Sequence, residues 1–271
     1  MLRNIMKTII LSTLLLSFVV GCSKPASKND YKEWHDTTYR VENGAEVKVG
    51  ESKIVQEFDD QGRVNKIIYY NDGVILSSYS EVFRNSTNNI ITQKSFDASG
   101  TLERSSVGFW VDDKFIWRKE YSAEGKLTSH TKYKYDTKGR KLEEKFYNAD
   151  GELLNGRKYE HDDKNNSSSE MRFESDGSLG FGKIVYKYNE DGLKAERIHY
   201  WKGKASEITT YDYVGGNCTS EITSAPNGKV FYQFTTDYNK NGIRKVRRKF
   251  KPSEETGELD LVEITKSKVK Y

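Results

Sequence analysis

Along most of the chain, apolar and polar residues alternate in short runs instead of recurring every third or fourth position. In Lys183-Ile-Val-Tyr-Lys-Tyr188, Ile184, Tyr186 and Tyr188 fall on one face of an extended strand and Lys187 on the other. Arg244, Val246, Arg248 and Phe250 likewise oppose Ile243, Lys245, Arg247 and Lys249. Lys229-Val-Phe-Tyr-Gln-Phe-Thr-Thr236 and Arg197-Ile-His-Tyr-Trp201 are rich in β-branched and aromatic residues, which suit a pleated surface. No run between turn signals is long enough for a capped helix of roughly 10–14 residues. Pro25, Pro226 and Pro252 interrupt none of the predicted strands.

The runs are punctuated by a recurring phrase: an aromatic residue, Asp or Asn or a substitute, two variable residues, Gly, and usually an apolar residue two further on. Phe58-Asp-Asp-Gln-Gly62, Phe96-Asp-Ala-Ser-Gly100, Tyr147-Asn-Ala-Asp-Gly151 and Tyr238-Asn-Lys-Asn-Gly242 are copies. Gly73, Gly100, Gly125, Gly151, Gly177, Gly203 and Gly228 follow one another at steps of 25 to 27 residues. A second set interleaves with it: Gly62, Asn88, Asp113, Gly139, Asn165, Gly192, Gly215 and Gly242, at steps of 23 to 27. The unit is therefore about 26 residues with two turns, the length of a β-hairpin plus its connection. Asp or Asn can bond its own backbone two residues on, and Gly supplies the φ > 0 that closes such a turn.

Residues 51–271 then hold about 16 strands in an antiparallel meander. Twisted open sheets rarely exceed roughly ten strands without curling or splitting. The expected fold is all-β, a sheet of hairpin repeats curled or folded on itself with Tyr and Phe inside. The four-stranded blades of a propeller would impose a longer period. A transmembrane β-barrel would need an apolar outer face on every strand, and Lys and Arg populate both faces.

The N-terminus departs from this pattern. Arg3 and Lys7 precede a largely apolar stretch from Ile9 to Val20, broken by Ser12, Thr13 and Ser17. It is short for a bilayer span and fits the h-region of a secretory signal, with residues 1–21 as a helical signal peptide. Val19-Val20-Gly21-Cys22 resembles the bacterial lipobox. The resemblance implies cleavage after Gly21, diacylglycerol on the Cys22 sulfur, N-acylation (palmitate is the usual chain), and, from Ser23 at the next position, the outer membrane. Residues 22–50, beginning Cys-Ser-Lys-Pro-Ala-Ser-Lys-Asn-Asp, have the composition of a solvated tether leading into the fold, whose start is expected between 30 and 50. With Cys22 acylated, Cys218 has no partner for a disulfide in the mature chain and is expected to be an inert thiol.

At Lys132-Tyr-Lys-Tyr-Asp-Thr-Lys-Gly-Arg-Lys-Leu142 the chain resembles the Tyr-Asp (YD) repeats of the Rhs and wall-associated families, whose phrase is Tyr-Asp-x-x-Gly-Arg-Leu. The aromatic-x-x-Gly look is also shared with MORN-like antitoxin repeats. Over about 58–250, either resemblance implies β-hairpin repeats in sheets that enclose or bind something, without catalysis.

Composition narrows the function further. The 271 residues carry 44 basic and 40 acidic side chains, a formal charge of only +4, which argues against a dedicated nucleic-acid surface. Mean hydropathy is −0.81, which excludes a multi-span helical membrane protein, while 18 Tyr, 12 Phe and 4 Trp supply packing material. His35, His130, His161 and His199 form no metal-ligand spacing, and His161-Asp162-Asp163 reads as a solvated turn. Asp59-Asp60 and Asp112-Asp113 read as turn carboxylates. Gly177-Ser-Leu-Gly-Phe-Gly182 has no helix behind it to hold a phosphate. No catalytic residue, cofactor or metal is expected. The cluster from Arg244 to Lys251 reads as a terminal strand guarded by charge, or as a patch for anionic headgroups.

The expected protein is a non-enzymatic lipoprotein of the bacterial envelope, in the outer membrane facing the periplasm. Its curved repeat surface would bind or scaffold a protein or glycan, with Trp110, Trp117 and Trp201 as candidate contacts. The alternative is an immunity lipoprotein that neutralises a toxin delivered to the periplasm.

Overall fold

The computed structural model describes residues 32–270 except 86, 88, 113, 163, 165 and 166. The expected signal helix, Cys22, Tyr271 and the turn centres Asn88, Asp113 and Asn165 lie outside the described residues. The described chain is all β, without a helix. Its strands are β1 (Glu33–Glu42), β2 (Ala45–Phe58), β3 (Val64–Asn71), β4 (Ile75–Asn85), β5 (Ile90–Asp97), β6 (Leu102–Val111), β7 (Lys114–Ser122), β8 (Leu127–Tyr135) and β9 (Lys141–Asn148). There follow β10 (Leu153–His161), β11 (Ser167–Glu174), β12 (Leu179–Tyr188), β13 (Lys194–Trp201), β14 (Lys204–Val214), β15 (Asn217–Ser224), β16 (Val230–Tyr238), β17 (Arg244–Pro252) and β18 (Leu259–Lys270).

Each strand pairs antiparallel with its neighbours in sequence, and β1 also pairs with β18, from Glu33↔Lys270 to Arg40↔Glu263. The 18 strands therefore close into a barrel. This corrects the expectation of about 16 strands in a curled or folded sheet. The extra strand, β1, begins at Glu33, within the segment 22–50 whose composition reads as a tether, and that segment also holds the first part of β2. Pairing β1 to both β2 and β18 removes the two open edges an uncurled meander would leave. The reading of the Arg244–Lys251 cluster as a guarded edge is corrected too, since β17 is paired on both sides.

The turns follow the glycine beat. Gly73, Gly100, Gly125, Gly151, Gly177, Gly203 and Gly228 all have positive φ, and all lie at one rim of the barrel, the far rim. Gly62, Gly139, Gly192, Gly215 and Gly242 also have positive φ and lie at the other, near rim, where Glu33 and Lys270 are found. At the near rim Asp136 Oδ1 accepts the Lys138 and Arg140 amides at 2.9 and 2.8 Å, and the Gly139 amide donates to the Asp136 carbonyl at 2.9 Å. The register then slips at Lys134/Tyr135, a bulge that recurs beside the equivalent turns at Glu57/Phe58, Lys187/Tyr188 and Asp237/Tyr238.

Alternation sorts the side chains onto two faces, and the registers carry each face around the closed wall. On β10, Arg157, Tyr159 and His161 are half-buried while Lys158 and Glu160 are exposed; on β14, Thr209 is buried while Thr210 and Asp212 are exposed. The shielded face is the concave one, where side chains converge. Ser80, Ser95, Ser106, Glu144, Thr209, Thr223, Thr236 and Ser267 are buried on it. Among the described residues only Phe173, Ile198, Cys218, Ile243 and Ile264 are buried apolar side chains. By register Phe173, Ile198 and Ile264 lie on the outer face, so the fully buried side chains inside a wall roughly 110 Å around are mostly polar. The outer face carries Lys53, Lys66, Lys132, Lys145, Lys158 and Lys187 within its strands. Each would cost about 2–4 kcal/mol at a bilayer midplane, so this wall is not shaped to face lipid.

Candidate functional site

The inner face is the most distinctive chemical surface of the molecule. Arg84, Arg104, Arg118, Arg157, Arg172, Arg197 and Arg247 all point inward by register, whereas most strand lysines lie outside; Lys141 and Lys194 are inside, over the Tyr159 and Tyr186 rings. In Arg118-Lys119 and Arg157-Lys158 the two cations simply occupy successive, opposite positions. Arg248 is the exception, facing outward to Asp237 at 2.8 Å with Lys249 inside.

Inner carboxylates meet these arginines along one strand or across one or two strand spacings. Arg118 reaches Glu120 at 2.7 Å, Arg157 reaches Glu170 at 3.4 Å, Arg197 reaches Glu207 at 3.5 Å and Arg247 reaches Glu221 at 3.3 Å. Glu144 accepts from the Tyr159 hydroxyl at 2.9 Å and lies 3.4 Å from Lys141. Smaller groups close the gaps: Ser80 and Ser95 hydroxyls are 3.1 Å apart, and Thr209 and Thr223 hydroxyls 3.0 Å. Among the described residues, neither Arg104 nor Arg172 meets a carboxylate, and Arg84 donates to the Val64 carbonyl at 2.8 Å. The face thus carries more cationic groups than its acids hold.

Shielding on this face shifts its titrations. Burial pushes the Tyr69 phenol up to about 12, and burial followed by the Glu144 charge does the same for Tyr133. Tyr159 moves further in that direction, for the same two causes. Burial raises the Glu120 carboxyl against the pull of Arg118. Burial and then Arg197 lower the His199 imidazole, so the ring is neutral near pH 7. The His199 Nε2 and Arg197 Nε atoms are shielded from solvent and have no hydrogen-bond partner among the described residues.

The three candidate tryptophans are not brought together. Trp117 is on the outer face of β7, stacked on Phe109 at 6.2 Å. Trp110, on β6, pairs with Phe115 towards the near rim, and its buried Nε1 has no hydrogen-bond partner among the described residues. Trp201 ends β13 at the far rim, 57% exposed. Cys218 is buried, its thiol 3.4 Å from the Ser220 carbonyl. His161 sits 2.7 Å from the Lys141 carbonyl through Nε2. In the basic cluster, Arg244 bonds Asp36 at 2.6 Å and Arg247 lies over the Phe234 ring at 3.7 Å, so both are structural contacts of the wall. Sequence reasoning missed the inner arginines. Their signal, Arg and Lys on opposite parities of the strands, needs the bulge positions before it can be followed from strand to strand.

No protein-family model matches the chain, and no curated protein matches it in sequence. Among solved structures, a porin-like protein from Bacteroides uniformis is 10% identical, covering 89% of this chain and 98% of that one at a TM-score of 0.46. A DUF1329 family protein from Desulfovibrio piger is 9% identical over 91% of this chain and 87% of that one, at a TM-score of 0.26. At such values the architecture is read from the strand registers themselves.

Proposed function

We propose that this chain is a lipid-anchored, non-catalytic binding protein of the bacterial cell envelope, and that it binds through the inner face of its barrel. The signal-like N-terminus and Cys22 support the anchor, and Ser23 supports the outer membrane with the domain in the periplasm. The observation that carries the binding reading is the composition of the inner face. Beside Trp34, Ile54, Ile67 and Phe234, this face carries paired Arg and Glu, Tyr, Ser and Thr, with cations left over, and most of it stays partly accessible. Such a surface suits a polar ligand, protein or glycan, that enters through a rim. The closed wall replaces the curved open sheet as the binding surface.

Two experiments test the reading on the full-length protein. Metabolic labelling with a radioactive fatty acid marks the wild type and not Cys22→Ala; label retained by the variant sinks the anchor. In a Cys218→Ala background, Gln93→Cys faces inward and Lys94→Cys outward. A small maleimide labels both, and a bulky polyethylene-glycol maleimide labels only the outer one rapidly. If the small reagent cannot reach position 93, the interior is closed and the binding reading fails.

A further inference from the structure

We propose that the inner face of β10 to β13, at the far rim, is a binding site for an acidic saccharide; this rests on the reading that the inner face binds. Arg157 and Arg172 are directly opposite each other on β10 and β11. Like charges in that position repel. Glu170 holds Arg157, but Arg172 is exposed and meets no carboxylate among the described residues. A carboxylate or sulfate lying between the two guanidinium groups would accept charge-assisted bonds from both.

The next positions along the same row complete the site. Met171 pairs with Lys183 and Phe173 with Leu179, so Arg172 lies opposite the Gly180–Gly182 stretch where the register slips. A Cβ at Gly182 would meet nothing within 4 Å, so there is open space above the backbone. Gly182 in turn pairs with Trp201, whose exposed indole shares its face. From Arg157 to Trp201 the row crosses three strand spacings, roughly 14 Å, the length of a short oligosaccharide. The indole offers a flat apolar plate to the C–H face of a sugar ring, and Gly182 leaves room for the ring beside it. Guanidinium pair, cleared backbone and aromatic plate together describe a ring-shaped anion with an apolar face, as an acidic sugar is, not a bare anion or an acidic peptide.

The test is calorimetric titration of the full-length protein in detergent micelles with trigalacturonate, maltotriose, triglutamate and inorganic phosphate. Trigalacturonate is expected to bind best, and Arg172→Gln or Trp201→Ala to weaken it about tenfold, the equivalent of one or two lost contacts. Gly182→Val fills the cleared space and also weakens it, while Lys158→Gln on the outer face leaves it unchanged. Circular dichroism confirms that each variant keeps its strands. Equal binding of maltotriose, triglutamate or phosphate overturns the assignment, as does trigalacturonate binding that ignores Arg172 and Trp201, or no binding at all. If position 93 is open to thiol reagents and trigalacturonate does not bind, only this assignment fails. If position 93 is closed, the underlying reading fails with it.

Discussion

At the scale of single residues, the fold is held to its beat by side chains that solve the same turn repeatedly. Gly151 has φ +86°, and a Cβ added there would meet nothing within 4 Å, so Gly151→Ala isolates the backbone term. An L-residue in that region costs about 1–2 kcal/mol, which in a domain of this size lowers Tm by about 2–8 °C. Gly182→Ala, with φ outside that region and equally open space, should leave Tm nearly unchanged by thermal circular dichroism. The turn carboxylates add a pH dependence. The Arg140 amide, followed by its guanidinium, holds the Asp136 carboxyl below its usual range, and the Ser99 hydroxyl, followed by the Thr101 amide, does so for Asp97. A depressed folded pKa stabilises the protein fully above the unfolded value, near pH 4, and that contribution disappears as pH falls through the folded value. Asp136→Asn keeps the amide acceptor, as Asn148, Asn189 and Asn239 do in the sister turns, and loses the titration. Its stability should therefore fall below that of the wild type near neutral pH and converge with it as pH drops through the folded value; a difference that stays the same at acid pH would show that this carboxylate contributes no pH dependence.

At the scale of elements, each hairpin couples a turn to a bulge, and some couple a glycine to an aromatic ring across the pair. Gly156 on β10 faces Phe173 on β11, and a Cβ there would collide with the ring and lie 2.6 Å from the Glu144 carbonyl oxygen. Phe173 in turn is almost fully buried on the outer face, with Lys158 over its ring at 5.5 Å. Gly156→Ala should destabilise by about 1–3 kcal/mol through overpacking. Phe173→Ala removes the colliding ring, so the double variant should be more stable than the sum of the singles implies; strict additivity in a urea double-mutant cycle would show the ring is not the obstacle. Hairpin period, turn chemistry and strand type are legible in the sequence because each is decided within about 26 residues. The assignment of inside and outside is not. Both faces of Arg244–Phe250 carry cations, and hydrophobicity alone cannot orient a strand whose core side is polar. Gly156 gives no signal of its own, since its partner ring is set by a register that one bulge shifts. Trp201 stands out in the sequence as a candidate contact, but its neighbours Arg172 and Gly182 come from strands earlier in the chain and join it only through pairing.

At the scale of the whole molecule, closure depends on contacts that no local pattern encodes. Tether-like composition before residue 50 hides β1, and the partner that makes β1 a strand, β18, lies more than 200 residues away in sequence. The seam is fastened on the inner face by three side chains. Arg244 on β17 donates to Asp36 on β1 at 2.6 Å, Ser267 on β18 donates its hydroxyl to the other Asp36 oxygen, and Arg244 Nε reaches Ser267 at 3.2 Å. The indole of Trp34 lies under the same guanidinium at 5.3 Å. The ion pair is well shielded, with its two side chains 17% and 14% exposed. Removing one partner of such a pair leaves the other charge buried, at a cost of about 3–5 kcal/mol. Asp36→Ala should therefore weaken the closing seam selectively. Hydrogen exchange is expected to quicken first in Glu33–Glu42 and Leu259–Lys270, while strands on the opposite side of the barrel, such as β8 to β10, keep their protection. Asp36→Asn retains one acceptor and should fall between the two. Uniform acceleration across all strands would mean that the barrel opens as one cooperative unit and that the Asp36 cluster is not a local clasp. Faster exchange confined to the seam would make β1, whose own sequence barely announces it, the element that converts a row of hairpins into an enclosure with an inside.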